Sequence, residues 1–569
     1  MRSALATLLL CASAATPVVL WAQTASEITP ETLAPPLQRL GGSVQFTGQV
    51  GTEAPPGAEQ IGITLSGVDL EDALPQLQAE NASFVSRLTR GRIPVSELFE
   101  ATADLEAAYA NAGFVLTRVV LPQQSLRDGG RLRVTVVNGF IERVETANVP
   151  EQTRPRIERL TEPLLNKPGL TLPELERQLL LAGDTPGTAL RSALGAGEKP
   201  GGAIIALDPE FRLVTGFLGF GNPTPDDLGG ISLNAGIEIN SPLRFGETFY
   251  LRTSGSPEGF FTDEPQSRIL AAGALVPLGF SGLTLNVEVT ASDTTPESSD
   301  APTRSDFDRK SIRLSYPFIR SRNLNVTGQL AFDHQTDEQV FLGGGGTELP
   351  IYEDAVSILR LGGSLSRFHE GGAVTEASLT LSRGLDAFGA RTAAEAEEDG
   401  VALSRQGSDA EFTKLAGSIT HQRNLSDAIQ FSVAGRFQTS FGDPLVTSEQ
   451  FTLVGPQELS TFDSGTLRGD SGWVVRSEIS TLTQVELGGL PLVLRPYAFI
   501  GYGETKIEEP TAVEQSVTTA TAFGIGQDIF TQTDSTFRSG SVRLELGRGE
   551  RSDGLEDGTR FGLSASFRF

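Results

Sequence analysis

After residue 22 this chain has no cysteine. Cys11 is the single one, so the chain beyond its first segment has no disulfide, no thiol nucleophile and no cysteine-ligated metal. Histidine is almost as scarce. His334, His369 and His421 stand far apart without metal-ligand spacing, and no metal or other cofactor is expected. Positive charge is short: 45 Lys and Arg against 71 Asp and Glu leave a net −26, which argues against a nucleic-acid binder, because phosphate recognition needs a basic surface. Long apolar runs are missing beyond the start, where none reaches the roughly 18 residues of a membrane helix. That excludes helical spans only, since a barrel strand crosses with about 9–11 alternating residues. No nucleophile–base constellation is evident, so we expect no enzyme. The glycines of GAGEKPGG (195–202) lack a following Lys-Ser/Thr and read as a turn, not a phosphate cradle.

The start is the exception. MRSALATLLLCASAATPVVLWA has Arg2, an apolar core from Leu5 to Leu20 and Ala22 before Gln23, which predicts a signal peptide over 1–22. An uncleaved anchor is the alternative, disfavoured by Pro17 and the small residue at the end. Leu10 is too large for a lipoprotein site at Cys11. Residues 23–58 read as an N-terminal helix and linker. ITPETLAPPLQRL (28–40) starts like a helix at Thr29-Pro30, weakened by Pro35 and Pro36, with a disordered tail as the alternative. Residues 41–59, rich in Gly, Pro and Ala, read as linker.

Two α+β modules come next. In the first, over 59–144, IGITLSGV predicts a strand. VSELFEATADLEAAYANAG predicts a helix with Leu98, Ala101, Leu105, Ala108 and Ala112 on one face and Gly113 at its stop. FVLTRVVL and, after Asp128-Gly129-Gly130, RLRVTVVNG predict two more strands. The second module, over 145–208, has helices at 151–165 and 172–182 and the strand AIIALD. From Phe211 onward alternation replaces the helical period. Ile231, Leu233, Ala235, Ile237 and Ile239 face one way and Ser232, Asn234, Glu238 and Asn240 the other; GLTLNVEVT, IQFSVAGRF, SVRLELG and FGLSASFRF repeat the pattern. About sixteen such segments predict a transmembrane β-barrel of antiparallel strands over 209–569, apolar toward lipid and polar toward a wet lumen. Closure satisfies the sheet edges that lipid cannot.

This order resembles the two-partner secretion transporters, also called haemolysin secretion/activation proteins. AAYANAGFVLTRVVLPQQ (107–124) and RLRVTVVNGFIERV (131–144) are similar to the family's first POTRA domain, with Tyr109, Gly113, Phe114, Pro122, Gln123 and Gly139 in its marked places. Residues 150–194, with a Leu-Glu-Arg helix and an Asp-x-Pro-Gly turn, are similar to its second. The resemblance implies a bacterial outer-membrane translocator with POTRA domains in the periplasm. Its partner would be a large Sec-exported exoprotein of adhesin or haemolysin type with an N-terminal secretion domain, passed through the pore without ATP. Outer-membrane lipid is its other partner, and no nucleic acid is. A partner strand can add to an exposed sheet edge. That edge is expected at 114–121 or 132–137, with Phe114, Leu116, Val119, Leu121, Pro122 and Gln123 as contacts; the other reading is that these strands are only core. A barrel-assembly factor of the same superfamily, which usually has more POTRA domains, and a passive porin are the competing functions.

The resemblance also implies a gate. In the family the loop between strands eleven and twelve, here 441–470, enters the barrel. Its tip reads Val-Arg-Gly-Tyr, and the arginine pairs with the aspartate of a Phe-x-Asp-x-Gly wall motif. Here the tip is Leu459-Ser460-Thr461-Phe462, and the wall motif is Phe499-Ile500-Gly501-Tyr502-Gly503. Ser460 stands for the arginine and Gly501 for the aspartate, so both halves of the pair are missing together. Arg468 and Asp470 complete the expected gate set, and a local pair between them belongs to the alternative register. The expectation is a loop held less firmly than in the family at large.

Overall fold

The computed structural model describes residues 23–36, 44–46, 54–297, 302–343, 347–533, 535–555 and 557–569. In the first module Leu98, Ala101 and Leu105 line the buried face of the helix Ser96–Asn111, joined by Tyr109. Gly113, at φ 95°, takes the left-handed position past its end. The sheet beneath runs in the order Arg92–Pro94, Gly62–Glu71, Gly130–Val137, Arg118–Val120. A further helix, Gln78–Leu88, is one the sequence does not announce. It buries only Phe84 and Leu88, too few apolar residues to mark a period. The expected strand FVLTRVVL shrinks to Arg118–Val120. Phe114–Thr117 closes a turn instead (Thr117 N to Phe114 O, 3.0 Å) and sends Leu116 into the core of the next module.

The second sheet runs Val44–Phe46, Thr188–Ala196, Gly202–Phe211, Phe140–Glu145, covered by the helices Arg154–Thr161 and Leu172–Gly183. Residues 140–144, expected in the first module, therefore lie in the second, parallel to Gly202–Phe211. Gly139 marks the crossing: a Cβ there would sit 2.1 Å from Leu116 O, so glycine lets the modules close on each other. The linker also departs from expectation. Its residues Val44–Phe46 pair in parallel with Ser192–Leu194. The helix expected over 28–40 is instead Ala25–Ile28, started by a Thr24/Glu27 capping box and stopped at the extended Thr29 before Pro30. Residues 37–40 and residues 1–22, where a signal peptide is expected, lie outside the described residues.

Seventeen strand segments close into a barrel from Val214–Gly221 round to Gly558–Arg568. Ser471–Thr481 and Thr483–Leu487 are one strand interrupted at Leu482, so the strands number sixteen, each antiparallel to its neighbours. Leu233, Ile237 and Ile239 are exposed on the outer face, while Ser232 and Asn240 are buried inside. The second module docks on the turns at one end of the barrel through arginines. Arg156 donates to Phe245 O (3.4 Å) and Gly279 O (3.1 Å), Arg177 to Pro317 O (3.0 Å), and Arg320 pairs with Asp184 (2.6 Å). Burial pulls Arg156 down to about 10, which leaves it charged at neutral pH.

Candidate functional site

Two chain segments fill the lumen. The first is the loop between the barrel strands Ile429–Thr439 and Ser471–Thr481, which turns back inward. Its side chains meet a wall made smooth by glycines. A Cβ on Gly501 would lie 2.8 Å from Leu459, on Gly503 2.8 Å from Leu453, on Gly547 2.6 Å from Thr461, and on Gly549 2.5 Å from Phe462. Two residues apart, the glycines of each pair share the inner face of their strand, Leu490–Lys506 or Ser539–Arg551. Each therefore leaves a hole for one loop side chain. Around them Phe451, Leu453, Leu459, Phe462, Leu467, Val474, Tyr497 and Phe499 form one apolar core inside the pore. Burying Leu459 or Phe462 this way contributes roughly 1.5–3 kcal/mol each.

Ser460 ties the tip to charge by hydrogen bonds, and the Phe462 ring lies 5.9 Å under the Arg551 guanidinium. The Ser460 hydroxyl accepts from Arg476 Nη1 (2.6 Å) and donates to Glu545. Arg476 is almost fully buried, stacks 3.7 Å over the Phe499 ring, and donates also to Glu458 O (3.2 Å), Glu478 (2.9 Å) and Glu545 (2.6 Å). In the strand register Arg476 is the direct partner of Gly501. The network continues along the wall. Arg543 bridges Glu478 and Asp528, each at 3.1 Å, and Arg495 pairs with Asp528. Three guanidiniums thus face three carboxylates on four neighbouring strands.

The second segment is residues 23–36. Ala25 N donates to Ser305 (3.1 Å), Ser26 to Asp337 (2.6 Å), Gln23 to Ser464 O (2.6 Å) and Leu33 N to Glu288 (3.1 Å). Arg309 and Arg313 donate to the carbonyls of Pro30 (2.8 Å) and Glu31 (3.2 Å). Glu27 forms an ion pair with Arg468 of the loop, so the two inserts touch. Asp470 is elsewhere engaged: buried, it accepts from Leu445 N (3.0 Å), Gln450 Nε2 (3.2 Å) and Glu508 N (2.7 Å), which ties the loop's two ends together. Arg468 and Asp470 do not pair with each other among the described contacts.

The family model for haemolysin secretion/activation proteins ShlB/FhaC/HecB matches residues 205–527, more than half of the chain. The chain belongs to this family. Residues 63–139 match the ShlB-type POTRA domain. This two-partner secretion transporter, an outer-membrane β-barrel protein, is similar in fold to CdiB from Escherichia coli, with 20% identity, a TM-score of 0.69, and 96% of this chain and 94% of that chain covered. It is similar also to CdiB from Acinetobacter baumannii, with 16% identity, a TM-score of 0.61, and 96% and 95% covered. No curated protein matches it.

In the transporter's POTRA domain the expected contact residues separate. Phe114 and Val119 are buried in its own core and Leu116 in that of the second module. Leu121 and Pro122 are half-buried, and Gln123 is exposed. The alternative edge at 132–137 is no edge, because Gly130–Val137 lies between two strands. Arg118–Val120 is an edge, but the Val119 N–H already donates to Glu106 (3.0 Å). Sequence reasoning takes Glu478 as part of the loop's framework but misses Arg476 and Glu545. Alternation places them on the inner face of their strands, but nothing local marks them as neighbours of the loop tip.

Proposed function

We propose that this transporter carries an unfolded exoprotein from the periplasm to the cell surface through its own barrel, without ATP. The POTRA modules lie in the periplasm, and the incoming chain adds as a strand to one of their sheets. The loop tip and the segment 23–36 close the pore until it arrives, and folding outside the cell makes return unfavourable. The observation that carries this reading is the edge of Thr188–Ala196. It is nine residues long, and three of them already accept a strand, Val44–Phe46, by main-chain pairing. Main-chain pairing reads little sequence, as a transporter of long chains requires. The shorter edge at Arg118–Val120, with its outward N–H taken by Glu106, suits the role less.

The mature chain would contain no cysteine, which makes the test clean. Gln45 and Ala193 are register partners. With both changed to cysteine, oxidation ties Val44–Phe46 to the edge. Secretion of the partner should stop on oxidation and resume on reduction. Normal secretion by the fully cross-linked protein would exclude this edge as the docking strand, and secretion of the partner in cells lacking the transporter would refute the function itself.

A further inference from the structure

His369 and His421 are distant in sequence and adjacent in the fold. Thr375 Oγ1 lies between them, 2.8 Å from His369 Nε2 and 2.9 Å from His421 Nδ1, and the rings stand 6.1 Å apart at 71°. Thr375 is the register partner of Arg367 on one side and of His421 on the other. The three therefore form a row across the strands Thr347–Phe368, Val374–Leu385 and Thr413–Asn424. Arg423, two residues past His421, points the same way. This is the outside of the barrel. Leu361, Leu379 and Ile419, of the same parity, are 62%, 50% and 53% exposed, whereas Ser366, Ser382 and Lys414 of the opposite parity are buried toward the lumen. The row sits at the ends of the strands beside the turns 369–373 and 425–428, at the barrel end that carries the POTRA modules.

Arg367 and Arg423 are both exposed, and the side chain of neither forms an ion pair or hydrogen bond with a described residue. Elsewhere on the barrel, guanidiniums such as those of Arg320, Arg360 and Arg476 are held by carboxylates. In a chain of net charge −26 an unneutralised basic cluster is not a by-product of composition. Glu370 and Asp427 lie in the adjoining turns and pair with neither arginine, and Glu376 faces the lumen. With strands about 4.8 Å apart and residues about 3.4 Å apart along them, the Cα atoms of Arg367 and Arg423 lie roughly 12 Å from each other with the two imidazoles beside the line between them, a span that two long side chains can close on one headgroup. Thr375 occupies one nitrogen of each ring, leaving His369 Nδ1 and His421 Nε2 free. The flanking arginines oppose a metal ion, and no group of three metal-ligating side chains occurs among the described residues. An anion fits instead. Apolar side chains toward the middle of the barrel and basic ones at its rim are the arrangement for acyl chains and a phosphate headgroup.

We propose that Arg367, His369, His421 and Arg423 form a binding site for an acidic glycerophospholipid of the periplasm-facing leaflet. The choice of leaflet rests on the orientation proposed for the transporter; the lipid chemistry does not. The test is native mass spectrometry of the purified full-length mature protein titrated with phosphatidylglycerol, phosphatidylcholine, glycerol phosphate or zinc. Phosphatidylglycerol should be retained about tenfold or more tightly than phosphatidylcholine, given two unpaired arginines at the headgroup level. Arg367→Gln with Arg423→Gln should bring the two lipids to parity, and His369→Asn with His421→Asn should weaken the preference less. Heat-modifiable migration in gels should show that both variants still close their barrels, since these side chains face outward. Equal retention of phosphatidylglycerol by wild type and the arginine variant would overturn the site. So would binding of glycerol phosphate as tight as that of the lipid, or of zinc in place of it. Because lipid retention is read without secretion, failure here leaves the transport reading standing, and the reverse holds too.

Discussion

The two segments in the lumen are held by different physics. The loop tip is seated by shape: Leu459, Thr461 and Phe462 enter holes left by glycines, and their apolar surface has no alternative partner in water. The N-terminal segment is seated by polarity: Ala25, Ser26 and Leu33 hydrogen-bond to Ser305, Asp337 and Glu288 on the wall. Water can replace such bonds once the segment leaves, so each contributes about 0.5–1.5 kcal/mol net, and about 1.5–3 where the acceptor is a carboxylate, as at Asp337 and Glu288. The difference assigns them unequal mobility. The expectation is that the N-terminal segment releases before the loop.

The contrast between the inserts breaks most severely at Arg476. Arg476→Ala leaves Glu545 without its buried cation and Glu478 with Arg543 alone, a change that costs about 3–5 kcal/mol at comparable sites. Planar-bilayer recordings should show long openings, and unchanged conductance would remove Arg476 from the loop's support. Filling a hole comes next. Gly549→Leu puts side-chain atoms where the Phe462 ring lies, and overpacking of this kind costs about 1–3 kcal/mol. The loop should become accessible to protease added at the cell surface, while the N-terminal segment keeps its contacts. A swap sharpens the point. Ser460→Arg alone sets two guanidiniums side by side, whereas Ser460→Arg with Arg476→Ser returns the charge to the loop. The double variant should be quieter in conductance than Ser460→Arg alone, and additive effects would deny the coupling. Smallest is Glu27→Gln. It weakens the Glu27–Arg468 ion pair between the inserts by about 1 kcal/mol, and should raise the frequency of brief openings without lengthening them.

The barrel was legible because its signal is local: a period of two, repeated, needs no knowledge of what lies across the sheet. The modules were half legible. Ser96–Asn111 carries its apolar stripe in its own sequence, but Gln78–Leu88 buries only Phe84 and Leu88, and its neighbours in space decide its fate. That Leu459-Ser460-Thr461-Phe462 carries no charge is plain from the sequence alone. What supplies the charge was not readable. Arg476 lies sixteen residues later on a strand whose alternation says "inward" and nothing more. The strand Val44–Phe46 was hidden for the same reason, since its partner is near residue 192.

The support for the loop is anchored in the wall, and this matters most once the loop has gone. Arg476, Arg495 and Arg543 stay behind with Glu478, Asp528 and Glu545. The vacated track is then self-neutralised, three charges of each sign fixed on the strands. On the proposed route a polypeptide would pass wall charges that sum to zero, which favours neither an acidic nor a basic stretch of it.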